Sequence, residues 1–211
     1  IGYTCEYKLF PTVNYGVPQK RERLLIVGWK DPKYVHKWPD EVDADVSLRN
    51  ILEFSMDGTI EVPKELIDQA GVAEESILIG EGEPEGVVHP YLTDRANLRG
   101  VSYGGKDISE YCFSFGKRRS PVHCEIVDIT KPSKTIISTY DHQPRLFVAQ
   151  KVGETYYLRP YTVNELKQIQ GFPKDYIMEG SWKDQVVQLG NAVPPPLIQQ
   201  VVERILDQAL S

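Results

Sequence analysis

"NYGVPQKRERLLIVGW", residues Asn14 to Trp29, joins a turn marked by Gly16 and Pro18 to a cluster of positive charge and then to a run of pure hydrophobe. The segment "RLLIVGW" carries apolar residues on both faces of a strand, and such strands usually lie inside a sheet covered on both sides, which suits an α/β domain. Upstream, residues 3 to 10, "YTCEYKLF", alternate loosely and read as a second strand. The two form a hairpin-like pair with "NYGVPQ" as the loop. At the mouth of the second strand stand Gln19, Lys20, Arg21 and Arg23. Most charge runs of this kind are solvated strand entrances, and the alternative is a set of donors fixed for a ligand.

Outward from this pair, "SLRNILEF" reads as a short helix with Ser47 as N-cap and Leu48, Ile51 and Leu52 at helical spacing. A second short helix is expected over Pro63 to Gln69. Between Gly80 and Gly105 glycines, prolines and charges multiply, and this is the least structured stretch of the sequence. A lobe boundary falls near residues 55 to 60. Within residues 110 to 158 the segments "YCFSF", "HCEIVDI", "KTIIST", "RLFVAQK" and "TYYLRP" alternate with turn formers and predict the strands of a small, mainly β lobe. The chain then turns helical. Thr162 with Glu165 forms a capping box, Tyr161 with Leu166 a hydrophobic staple, and Gly171 ends the helix ahead of Pro173. Ser181 and Asp184 predict another short helix that ends at Gly190, and Pro194 to Pro196 open a last one. Its apolar positions Ile198, Val201, Val202, Ile205 and Ala209 fall on one stripe.

The 211 residues suffice for one good core, or for a core with a smaller satellite lobe. Hydrophobic residues make up 41% and charged residues 26%, ordinary globular usage, and no apolar run approaches the roughly 18 residues of a membrane span. No membrane association is expected. The sequence opens on Ile1 without a secretory pattern, and reads as a piece of something longer. Cys5, Cys112 and Cys124 are odd in number and lack CxxC spacing, which argues against a disulfide framework or a zinc site and for a reducing, cytoplasmic setting. His36, His89, His123 and His142 stand far apart and read as surface or turn residues, so no metal is expected. The net charge of -6 does not advertise nucleic-acid binding, yet Lys20, Arg21, Arg23 and Lys117, Arg118, Arg119 leave room for a positive face on an acidic body.

Three segments converge. "YGVPQKRER" at 15 to 23, "RPYTVNELKQIQGFP" at 159 to 173 and "QLGNAVPPPL" at 188 to 197 resemble motifs VIII, IX and X of the cytosine-5 DNA methyltransferases, in the family's order. "KPSKTIIST" at 131 to 139 is similar to the close of that family's target recognition domain. The family's Gly-rich AdoMet loop, Pro-Cys nucleophile loop and Glu-Asn-Val motif do not occur, and no Cys here follows a Pro. The resemblance therefore implies the C-terminal half of such an enzyme, inactive alone, whose partners are double-stranded DNA and the N-terminal catalytic half, in the same polypeptide or a separate subunit.

The fold it implies is α/β, the C-terminal part of a Rossmann-like AdoMet-dependent domain plus a small mainly β target recognition lobe. The expected division is 1–57 for the end of the catalytic domain, 58–178 for target recognition and 179–211 for a return to the catalytic domain. The activity implied is methylation of carbon-5 of a flipped-out cytosine from S-adenosyl-L-methionine, in the bacterial cytoplasm and paired with a restriction enzyme. A DNA-binding module without catalytic role, and a tRNA-methylating enzyme of the same fold, remain as alternatives.

The resemblance also assigns residues. Arg23 is placed at the carbonyl oxygen of the extruded base, where a guanidinium gains strength as negative charge develops in the ring. Arg21 and Gln19 support the catalytic loop and a nearby phosphate, while Lys20 faces backbone or solvent. Asn191 and Ala192 border the methionine end of AdoMet. For DNA, "SYGGKDISEY" and "GKRRSP" are the candidate reading loops, with Lys117, Arg118 and Arg119 toward phosphate or a guanine edge. Thr135 matches a position that touches backbone phosphate, and Gln143 and Arg145 lie in a second loop. An exposed basic turn serves equally as a solubility feature.

Overall fold

A computed structural model of the chain describes residues 2–97, 102–103, 106–107, 113–116 and 124–210. The opening hairpin forms as expected: β1 (Thr4–Pro11) pairs antiparallel with β3 (Glu22–Trp29), with Leu9 facing Leu24 and Phe10 facing Arg23. Between them lie a 3-10 turn at Thr12–Tyr15 and the two-residue strand β2 (Gln19–Lys20). One face of the pair is covered, because Phe10, Tyr15, Leu25 and Val27 pack on Leu197 and Val201 of the last helix. Full burial of an aliphatic chain such as Leu197 contributes about 1.5–3 kcal/mol. The other face is open, with Tyr7 76% and Ile26 67% exposed. The apolar run therefore does not become a strand covered on both sides. Its two-stranded sheet is layered by a helix on one side only.

The lobe that follows is a six-stranded mixed sheet. It consists of β4 (Ile60–Val62), β5 (Ile77–Ile79), β8 (Phe113–Phe115), β9 (Cys124–Ile126), β11 (Leu146–Val152) and β12 (Thr155–Pro160). β11 is its axis, antiparallel to β12 and parallel to β5 and β9. Leu146, Phe147, Val148, Ala149 and Gln150 of that strand are all buried, so a central strand covered on both faces does occur here. Helix α1 (Lys64–Ala70) matches the predicted short helix within a residue at each end. Within the stretch read as unstructured, helix α2 (Pro90–Asn97) forms. The short pair β6 (Ser102–Tyr103) and β7 (Lys106–Asp107) stands apart from the sheet.

Three local readings need correction. Ser47 flanks only a 3-10 turn, Leu48–Asn50, and its side chain caps nothing. "KTIIST" yields a strand only at its start, β10 (Ser133–Lys134), and this pairs parallel with β2 rather than joining the lobe's sheet. His36 is buried rather than on the surface: its ring stands edge-on to Trp38 at 4.4 Å between centroids, and Nδ1 lies 3.1 Å from the Tyr34 hydroxyl. Burial lowers its pKa against the opposing pull of Glu6, which favours a neutral ring.

The C-terminal helices follow their signals closely. In α3 (Val163–Ile169) Thr162 and Glu165 form both bonds of the capping box, and Tyr161 and Leu166 are buried in one cluster. Gly171 takes φ 87° while Phe172 N–H donates to Lys167 O, closing the helix in the left-handed turn that glycine favours. A Cβ at Gly171 would also come within 2.7 Å of Pro196, so the same glycine lets α3 approach the last helix. Helix α4 (Trp182–Asn191) carries a second capping box, Ser181 with Asp184, and α5 (Pro195–Leu210) starts on a proline. The buried stripe of α5 is Leu197 and Val201 with Ile205 partly covered, whereas Val202 is 46% exposed. No helix among the described residues is long and apolar enough to cross a membrane.

Candidate functional site

β2, β10, the end of α3 and the end of α4 meet at one buried polar junction. Gln19, fully buried, donates from Nε2 to Gln170 Oε1 at 2.8 Å and accepts at Oε1 from Ile136 N–H at 3.3 Å. Arg21 donates from Nη1 to Ile136 O at 3.0 Å and from Nη2 to Gly190 O at 2.8 Å. Gln170 turns both amide hydrogens onto the end of α4, reaching Leu189 O at 2.6 Å and Ala192 O at 3.1 Å. The last carbonyls of a helix lack intrahelical partners and are commonly met by water. Here buried side chains from two other segments meet three of them.

This junction revises the roles expected of Gln19 and Arg21. Both lie inside the protein: Gln19 Nε2 and the two Nη atoms of Arg21 are bonded to protein oxygens, Arg21 Nε is buried without a partner among the described residues, and neither side chain faces the surface. Arg21 works as an internal clamp between residue 136 and residue 190.

Arg23, two residues along on β3, is only half-buried. Nη1 donates to Glu22 O at 2.9 Å and Nη2 to Ala192 O at 3.5 Å. A guanidinium has five N–H groups, so three find no acceptor among the described residues. Burial lowers its pKa, far short of costing Arg its charge at neutral pH. Beside it Asn191 is exposed, and its side-chain amide makes no hydrogen bond among the described residues. The structure thus brings Arg23 next to the Asn191–Ala192 segment. Lys20 is exposed, as expected.

Gly190 does not end α4; it is helical, and the helix runs through Asn191. Its function is close approach. A Cβ there would fall 2.4 Å from Ser138 N and 2.7 Å from Ile137 C, both backbone atoms that cannot swing aside. Gly190→Ala is therefore expected to push residues 137–138 off α4 and to cost about 1–3 kcal/mol. Thermal unfolding of the variant chain checks this, and an unchanged Tm would contradict it.

The DNA candidates are dispersed. Thr135, exposed, donates its hydroxyl to Lys20 O at 2.7 Å and so sits at the edge of the junction. Gln143 is exposed in the turn after Tyr140, and Arg145 is partly buried at the start of β11. Lys117, Arg118 and Arg119 lie outside the described residues. A separate cavity of about 630 Å³, lined among others by Asp57, His89, Tyr161, Thr162 and Trp182, contains none of the predicted site residues.

Sequence reasoning missed Arg159 and Gln170. Arg159 is 1% exposed and forks onto both oxygens of Glu165 at 2.6 and 2.7 Å. An Arg just ahead of a capping box was the available signal for the first. Gln170 carried none beyond its place in the quoted helix.

The chain matches the family model of the C-5 cytosine-specific DNA methylases over residues 1–207. It is 27% identical over 212 residues to the type II methyltransferase M.MthTI of Methanothermobacter thermautotrophicus, covering 97% of this chain and 57% of that protein. With M.BsuFI of Bacillus subtilis identity is 28% over 215 residues, covering 100% and 41%. The chain spans about half the length of the curated relatives it matches. Among solved structures, the Entamoeba histolytica methyltransferase EhMeth superposes with a TM-score of 0.56 at 16% identity, covering 99% of this chain and 55% of that one. A putative DNA modification methyltransferase encoded within an E. coli prophage gives 0.51 at 17%, covering 100% and 62%. These likenesses establish a mixed α/β methyltransferase fold. They also correct the expectation of a C-terminal half: the methylase family model itself takes in residues 1–207, and the partial coverage of the relatives does not mark the chain as their C-terminal half.

Proposed function

The chain belongs to the C-5 cytosine-specific DNA methylase family, and from that membership we propose that the protein methylates carbon-5 of a cytosine turned out of duplex DNA, with Arg23 holding the base. The family's methyl donor is S-adenosyl-L-methionine, which supplies an electrophilic methyl group when bound. The observation that carries the reading is the meeting of Arg23 with the 190–192 turn: free guanidinium donors and a free amide stand side by side on a rigid support.

Turning a base out of the duplex costs a few kcal/mol of stacking and pairing, which contacts to the extruded base must offset. Addition at carbon-6 of a thiolate, for which this chain's residues offer no Pro-Cys loop, would drive electron density toward the ring's carbonyl oxygen. Arg23, anchored through Glu22 O and Ala192 O, would strengthen its hydrogen bonds to that oxygen as the charge grows. Asn191 fits one edge of the cofactor, since its unpaired amide offers a donor to a carboxylate and an acceptor to an ammonium. Asn191 and Ala192 are thus assigned to the methionine end.

Residues 58–178 would serve target recognition, with Thr135 on the phosphate backbone and Lys117, Arg118, Arg119, Gln143 and Arg145 toward DNA. The setting proposed is the bacterial cytoplasm, alongside a restriction enzyme.

The test is methyl transfer by the whole protein from labelled S-adenosyl-L-methionine to duplex DNA or to tRNA, with the product nucleoside identified by mass spectrometry. 5-Methylcytosine in the duplex is the expected result. Label confined to tRNA, or another methylated base, overturns the proposal.

A further inference from the structure

We infer that Gln170, itself assigned no substrate contact, is a positioning residue that ties the base-holding side of the site to its cofactor side; the inference rests on the methyltransferase reading above. Three observations carry it. Gln170 is 1% exposed, and its side chain makes three hydrogen bonds: it accepts from Gln19 and donates to Leu189 O and Ala192 O. Both carbonyls can only accept, so the amide's orientation is dictated by its partners. Ala192 O, one of these acceptors, is also the carbonyl that Arg23 Nη2 reaches.

Between Leu189 and Ala192 lies Asn191. Gln170 grips the backbone on both sides of it, while Arg21 holds Gly190 O from behind. The exposed Asn191 amide and the Arg23 guanidinium therefore share one backbone support, and the side chain fixing that support comes from the C-cap of α3. α3 is in turn fastened to the six-stranded sheet by Arg159 and Glu165. Without the Gln170 amide, Leu189 O and Ala192 O would lose two buried donors and the 189–192 turn would relax. Displacement of a catalytic donor by about 1 Å can cost up to 10²-fold in rate, and a partial loosening is expected to fall below that.

The experiment uses the whole protein with duplex DNA and S-adenosyl-L-methionine. Gln170→Met, similar in length and without hydrogen-bonding capacity, is expected to lower kcat by about 10-fold and to raise the KM for S-adenosyl-L-methionine by about the same factor. On an Arg23→Ala background the same change is expected to lower kcat by less than about 3-fold, because the group it positions is gone. Gln170→Glu supplies a second readout that survives poor folding of the Met variant. Its carboxyl donates only when protonated, so its kcat relative to wild type is expected to rise as pH falls from about 8 to about 6. Equal kcat losses from Gln170→Met with and without Arg23 would overturn the inference, as would a flat relative pH profile for Gln170→Glu. An inactive wild-type protein would instead sink the functional reading on which it rests.

Discussion

Replacing Arg23 by Ala in the whole protein is expected to lower kcat by about 10²- to 10³-fold, the usual cost of removing one donor aimed at developing charge. The dissociation constant for duplex DNA should change by less than about 3-fold, because Arg23 is proposed to meet the base only after it has left the stack. The asymmetry follows from where the side chain is held. Its two hydrogen bonds go to backbone carbonyls of Glu22 and Ala192, so the guanidinium is oriented before any substrate arrives. Arg23→Lys keeps the charge but offers a single ammonium in place of a planar fork, and should recover little of the rate. Single-turnover methylation with pre-bound DNA, beside a binding isotherm, separates the two quantities. A variant whose defect lies wholly in binding, with the chemical step intact, would remove Arg23 from the reacting base.

Much of this site was legible in the sequence because its parts carry local signatures. A capping box with a staple announces its helix from six adjacent residues, and both boxes, Thr162 with Glu165 and Ser181 with Asp184, formed in full. The hairpin of β1 and β3 followed from alternation around a Gly-Pro turn. What failed depended on distant partners. Whether Leu24 and Ile26 are covered is decided by what packs on the hairpin, and α5 takes only the opposite face.

The helix at Pro90–Asn97 lay hidden among residues whose composition suggests loop. The polar junction was the hardest part. Gln19 and Gln170 are 151 positions apart, and an amide in a sequence gives no sign of whether it faces water or another amide. Arg21 shows the same limit: a charge beside a strand mouth reads as a hand extended to phosphate, whereas its hydrogen bonds to residues 136 and 190 turn it inward.

Arg159→Met is expected to destabilise the chain by about 3–5 kcal/mol, the cost of breaking a buried ion pair by removing one partner. All five N–H groups of Arg159 are used. Nε donates to Gln150, Nη1 to Pro160 O and Glu165, and Nη2 to Glu53 O and Glu165. The Glu165 carboxylate, 3% exposed, also accepts from Thr162 N–H in the capping box and from Glu53 N–H. Removing the guanidinium therefore strands a buried carboxylate and frees the Glu53 carbonyl as well. At about 2–4 °C per kcal/mol for a chain of this size, Tm should fall by roughly 10 °C. The double variant Arg159→Met with Glu165→Gln tests the cause. Gln removes the stranded charge and can still accept the capping hydrogen bond from Thr162, so the double variant should be more stable than Arg159→Met alone. If it is no better, the penalty lies in the lost bonds to Glu53 and Gln150 instead of in the charge; if Arg159→Met itself costs under about 1 kcal/mol, the fork is not what fastens α3 to the six-stranded sheet.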